Sequence, residues 1–198
     1  MTLSGKISPS ALVVLVFLGI CGIYLAIKYN SLVNQNHKIV KAWSNVSLLY
    51  QKRAQLTNNL VKTIESTTNI ESTFIADVND AQAKCSVIQW PIDLTDDQNG
   101  LISLQQSEAA LDIAVSKLVA NLRAKHIANM ESLIVQVNSA NANITSAKEE
   151  YNILAFKYNK AITVFPDNAL AFVFGYHPKA YFKSDDVINR LPISGINF

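Results

Sequence analysis

The residues best able to do chemistry are few and stand far apart. Three histidines occur, His37, His126 and His177. A zinc or di-iron centre built on helices pairs a histidine with a carboxylate or a second histidine three or four residues away, so that both ligands share a face. None of the three has such a neighbour, and they read as solvated positions. The acidic pairs Asp96-Asp97, Glu149-Glu150 and Asp185-Asp186 would serve general acid–base work only if both carboxyls converged on one point. Adjacent residues on a helix diverge by about 100°, so these pairs read as ordinary surface charge. No GxxxxGK[ST], GxGxxG or GxSxG pattern is present to cradle a phosphate or raise a nucleophile. Cys21 and Cys85 are too far apart for a CxxC motif; Cys21 reads as facing lipid or a helix neighbour and Cys85 as a small buried hydrophobe. The expectation is a chain without catalytic residues, metal ligands or cofactor, and with its binding residues unassigned.

With so little chemistry to position, the elements themselves carry the information. Across 198 residues, 49% are apolar, and only 6 Gly and 5 Pro occur, a composition poor in helix breakers and unlike a loop-rich β fold or a disordered chain. The formal charge of +2, spread along the chain, leaves no basic patch for nucleic acid, and no small-molecule substrate is evident.

Ala11 to Ile27 reads ALVVLVFLGICGIYLAI, uncharged throughout. At 1.5 Å per residue it extends about 26 Å, close to the hydrocarbon core of a bilayer. A cleaved secretory signal has a shorter apolar region and a small-residue cleavage site, whereas this stretch runs straight into Lys28 and Tyr29. Leu18-Gly19-Ile20-Cys21 resembles a lipobox but carries Ile20 where a small residue is wanted. An uncleaved anchor fits best. Gly19 and Gly22 lack the GxxxG spacing of a helix-packing motif.

Beyond the anchor, Leu32, Val33, Ile39, Val40, Trp43, Val46, Leu49, Tyr50, Leu56, Leu60, Val61 and Ile64 recur at three- and four-residue steps, with no Gly or Pro between Ile23 and Thr68. One long amphipathic helix leaving the membrane without a hinge is expected. Trp43 falls on its apolar stripe and reads as a core anchor; Asn36 and Ser47 interrupt that stripe and mark a part facing water or another protomer. Thr67-Thr68-Asn69 reads as a turn with an N-cap. A second helix carries Ile70, Phe74, Val78, Ala81, Cys85 and Ile88, and Pro91 with the following DLTDDQNG forms the clearest loop, with Asn99 exposed in it. A third carries Leu101, Leu104, Leu111, Val115, Leu118 and Leu122, interrupted by Glu108. A fourth, from about Ala124 to Phe165, carries Ile127, Met130, Ile134, Val137, Ile144, Tyr151, Leu154, Tyr158 and Ile162 and stops at Pro166. No breaker separates the last two, so one continuous helix stays open there.

Such stripes are buried only against one another, which makes the fold class all-α: an N-terminal transmembrane helix continuing into an antiparallel bundle of about four long helices. The domain boundaries follow as 1–28 for the tail and anchor, 29–165 for the bundle, and 166–198 for an aromatic-rich tail. That tail, with LAFVFG and YHPKAYF, reads as a short helix plus an extended segment packed on the bundle end, or alternatively as a membrane-surface contact.

Tyr29-Asn30 with Leu32-Val33, Ala42-Trp43-Ser44, Asn59-Leu60-Val61 with Thr63, and then Tyr151-Asn152, Tyr158-Asn159, Phe165-Pro166, Phe174-Gly175 and Tyr181-Phe182 resemble the LemA family in type and order, from the anchor to Asp186. Two prolines common in that family have no counterpart at Thr57-Asn58 or between Asn121 and Lys125. The resemblance implies a bacterial single-pass membrane protein with a helical bundle and no established enzymatic activity. From the residues themselves, each Tyr-Asn pair reads first as a ring packed in a helix interface with its hydroxyl satisfied. The sharper alternative joins Asn30, Asn152 and Asn159 in a polar network near the membrane, since buried Asn fixes helix register.

The function expected is a membrane-anchored, non-enzymatic scaffold or adaptor, with the lipid bilayer and either a protein partner or copies of itself as partners. The alternative is an accessory or regulatory subunit of a membrane enzyme or transporter. Lys28, Lys38 and Lys41 follow the anchor while Lys6 alone precedes it, so the positive-inside tendency places the N-terminus outside and the bundle in the cytoplasm of a bacterial inner membrane.

Overall fold

A computed structural model describes residues 9–67, 72–87, 91–125 and 130–183. The elements are helices α1 (Pro9–Thr67), α2 (Ser72–Val87), α3 (Gln98–Ala124), α4 (Glu131–Thr163) and α5 (Asp167–Phe174), with a short 3₁₀ turn, Ile92–Asp96, before α3. Among the described residues every regular element is helical, as the scarcity of Gly and Pro requires.

The first helix is unbroken over 59 residues, about 90 Å at 1.5 Å per residue. Pro9 opens it, where a missing N–H costs nothing. From Leu12 to Ile27 its large apolar side chains stand exposed, and only beyond Tyr29 does one face become buried, beginning at Leu32. The second helix runs back beside it, α3 returns, and α4 closes the bundle. Its antiparallel course against α3 is fixed by Arg123 meeting Glu131 at 3.2 Å and by Asn141 reaching Asp112 at 3.5 Å.

Two apolar cores stack along the axis. The one nearer the exposed apolar end of α1 holds Leu32, Ile39, Trp43, Leu104, Tyr151 and Phe182 among others, and the distal one holds Leu60, Ile64, Val78, Leu111, Leu118 and Ile134. Nearly all are residues whose spacing placed them on the stripes.

The extent of one loop is corrected and the course of the third and fourth helices is settled. The loop after Pro91 is shorter than expected: the Asp97 side chain accepts from the Asn99 N–H at 3.0 Å and caps α3, so Asn99 and Gly100 belong to its first turn. A Cβ at Gly100 would stand 2.5 Å from Asp97 Oδ2 and 2.7 Å from Leu94 Cδ2, so a larger residue there would displace the capping carboxylate or the Leu94 side chain. The third and fourth helices are separate: α3 closes with the Lys125 N–H donating to the Asn121 carbonyl at 3.1 Å. Thr68, Asn69, Ile70, Ile88 and Ile127 lie outside the described residues, as do the greater part of the expected N-cap turn and Asp185-Asp186.

At the end of α5, Gly175 takes a left-handed conformation (φ 68°). Its N–H donates to the Phe172 carbonyl and that of Tyr176 to the Ala171 carbonyl at 2.9 Å, the hydrogen-bond pair of a Schellman closure. The chain thereby reverses into an extended segment, residues 176–183.

Candidate functional site

The extended tail is held in a way that the sequence did not disclose. A carboxamide carries one donor face and one acceptor face, the same pair that a peptide unit offers, so an Asn or Gln side chain is able to engage both backbone groups of one residue. Four of them do so here. Asn159 accepts from the Lys179 N–H at 2.7 Å and donates to its carbonyl at 2.8 Å. Gln98 does the same to Tyr181, Asn152 to Phe182 and Gln105 to Lys183, all between 2.8 and 3.1 Å. Ala180 is served differently, its N–H donating to the Thr95 carbonyl at 2.6 Å and its carbonyl accepting from the Tyr151 hydroxyl at 3.1 Å. Every backbone N–H and carbonyl from Lys179 to Lys183 therefore has a partner, and the segment is a strand paired with side chains instead of a sheet.

The geometry follows from two repeats. Asn152 and Asn159 are two helical turns apart, about 10.5 Å of rise, and three extended residues from Lys179 to Phe182 span about 10 Å. The tail thus runs antiparallel to α4 in matching register. Gln98 and Gln105 have the same separation but serve residues only two apart, and the longer glutamine side chain absorbs the difference. Mid-helix Asn is a poor helix former, and these two are tolerated because their amides are buried and satisfied.

Phe182 enters between the helices. Its ring stacks on Trp43 (centroids 5.8 Å apart) and meets the edge of Tyr151 at 5.3 Å, and Trp43 and Tyr151 stand 5.7 Å apart. Trp43, 2% exposed, is the core anchor that its stripe position implied. The Lys148 ammonium lies over the rings of Phe182 and Tyr50, at 5.5 and 5.2 Å. Burial pushes its pKa down to about 8, with Asp112 opposing and Arg53 assisting.

A polar layer separates the two apolar cores. Arg53, 4% exposed, donates to Glu108, 5% exposed, and to Asp112 Oδ1 at 2.7 Å, with Asn141 Oδ1 at 3.5 Å. Glu108, which interrupts the α3 stripe, is thus a buried ion-pair partner. Beside this layer opens a cleft of about 550 Å³, walled by Tyr50, Arg53, Gln82, Cys85, Glu108 and Leu111. Burial raises the Tyr50 phenol and the Cys85 thiol above their ordinary ranges, and the thiol donates to the Ser107 carbonyl at 3.3 Å. Ser47 lines the same cleft and is half-buried, as is Asn36.

Of the three asparagines grouped from sequence, Asn152 and Asn159 act together and Asn30 does not: it is exposed on α1. The asparagines bind the tail backbone and not one another. His37 and His177 are exposed, and His126 lies outside the described residues. Asp96 accepts from Lys179 Nζ at 2.6 Å, Asp97 caps α3, and Glu149 and Glu150 are exposed. Replacing Asn152 by Leu keeps the volume but strips Phe182 of both backbone partners, and a buried unsatisfied group costs about 1–3 kcal/mol. Hydrogen exchange at the Phe182 amide should accelerate and trypsin should cut earlier at Lys183; unchanged amide protection would dismiss the clamp.

A family model described as LemA family matches residues 42–194. The match begins in α1 at Ala42, so Tyr29-Asn30 and Leu32-Val33 lie before it, and it takes in both pairs of clamping amides and the tail. A comparison with curated proteins finds no match.

Proposed function

Because the chain belongs to the LemA family, we propose that it is a membrane-tethered, non-catalytic scaffold whose bundle presents surfaces to protein partners or to copies of itself. The observation that carries this reading is one helix doing two jobs. Its first part is apolar, with none of its most apolar window buried and a mean hydropathy of 2.6 over that window, and it continues without a break into the wall of a folded bundle. Exposed apolar surface of that length is stable in a bilayer and costly in water. The lysines after the anchor support an orientation with the bundle in the cytoplasm, in the bacterial inner membrane that we propose for the chain.

Two measurements on native membranes test the reading. The protein should resist alkaline carbonate washing and leave only with detergent, and crosslinking before gentle solubilisation should trap copies of the chain or a stoichiometric protein. Mature protein beginning after Ile27 would end the anchor reading; a strictly monomeric, partnerless mass after crosslinking would end the scaffold reading.

A further inference from the structure

Scattered apolar side chains on a surface need no explanation, whereas a contiguous group of them does. Beyond the anchor, Leu48, Ile92, Ile113, Val135 and Ile153 are exposed singly. In contrast, Val164, Phe165, Phe172, Val173 and Phe174 crowd into one short stretch that begins at the end of α4 and finishes at the end of α5. Phe172 is 89% exposed, Phe165 81% and Val173 72%. The opposite side of α5 is committed to the bundle, with Ala171 buried and Leu170 half-buried against the anchor-side core.

The position of this ridge along α1 is fixed by two contacts. Lys28 Nζ meets Asp167 Oδ2 at 3.5 Å, and the rings of Tyr29 and Phe174 lie with centroids 4.6 Å apart. Lys28 and Tyr29 directly follow Ile27, the last residue of the apolar span. Tyr29 is therefore only about 3 Å along the axis from the end of the span. Both ends of α5 are tied at the level where the hydrocarbon gives way to headgroups, the zone that Tyr and Trp side chains such as Tyr29 occupy at membrane boundaries.

We propose that α5 and the turn before it form a second, interfacial membrane contact, with Phe165, Phe172 and Val173 seated in the lipid surface beside the anchor. Phe is among the side chains that interfacial helices bury at the headgroup–acyl boundary while the other helix face stays in water. The occupant is lipid and not a protein, because the Lys28–Asp167 and Tyr29–Phe174 contacts set the ridge at the level where the exposed apolar span ends. Through the Schellman turn at Gly175, the same contact holds the start of the clamped tail against the membrane end of the bundle. This inference rests on Ala11–Ile27 being a membrane anchor, and the test separates the two.

The full chain, with Cys21→Ser and Cys85→Ser, is placed in vesicles of phosphatidylethanolamine and phosphatidylglycerol. A nitroxide is attached in turn through Val16→Cys in the span, Phe172→Cys on the ridge and Asp77→Cys on the exposed side of α2. Collision with oxygen, which concentrates in lipid, is compared with collision with a water-soluble nickel chelate. The expected result is a lipid-type ratio at 16, an interfacial ratio at 172 severalfold above that at 77, and a water-type ratio at 77. If 16 is lipid-like while 172 matches 77, the ridge proposal fails and the anchor stands; if 16 also matches 77, both fail. Shielding of 172 from both reagents, with dipolar broadening between labels, would show a second copy on the ridge and would equally overturn the proposal.

Discussion

Trp43→Ala should lower the unfolding free energy by roughly 3–5 kcal/mol, read from the urea midpoint of the detergent-solubilised protein by far-ultraviolet circular dichroism. The indole is packed between Tyr151 of α4 and Phe182 of the tail, so its removal opens a cavity bounded by two large rings that are themselves held by neighbours. Tyr151 donates to the Ala180 carbonyl, and Phe182 is gripped by Asn152. Neither is free to collapse inward without giving up a hydrogen bond. A cost near the upper end of the range is expected, accompanied by earlier tryptic cleavage at Lys183. A loss below about 0.5 kcal/mol would assign Trp43 to the surface instead.

Arg53→Met should be comparably damaging, by about 3–5 kcal/mol, because it leaves the Glu108 carboxylate inside the bundle without its counter-ion. Asp112 suffers less, since its side chain is half exposed and is able to turn to water. The informative comparison is the double variant Arg53→Met with Glu108→Leu. Replacing a buried pair by apolar groups of similar volume is often neutral or stabilising, and the double variant should recover most of the loss. If it unfolds as readily as the single variant, the layer contributes more through its geometry than through charge compensation.

These two residues also mark where sequence reasoning succeeds and stops. Trp43 was legible as core because it shares a 3.6-residue period with Ile39, Val46 and Tyr50 on one helix. The same periodicity exposed Leu101 to Leu122 and Ile134 to Ile162, while Pro91 and Pro166 marked where helices stop. The Arg53–Glu108 pair was not legible, because its members are distant in sequence and each on its own helix looks like a polar interruption. Asn30 shared a Tyr-Asn doublet with Asn152 and Asn159, but it stands nine residues from Ile39, about 900° of helical rotation, and so faces the opposite way. The clamp left its trace in the equal seven-residue spacings of Asn152 with Asn159 and Gln98 with Gln105. Reading it required knowing that the tail is extended and passes between those two helices, a tertiary fact without local periodicity.

The unbroken course of α1 has a mechanical consequence once its apolar part is set in a bilayer. From Lys28 to Thr67 the helix continues for about 60 Å at 1.5 Å per residue, and with no Gly, Pro or turn in that length it behaves as a lever pivoting at the membrane. Spanning helices adjust their tilt when the hydrocarbon thickness changes. A lean of about 10° would swing the far end of a rod of about 60 Å through about 10 Å. With the anchor proposed above, a small adjustment among lipids would thus reach the distal core magnified.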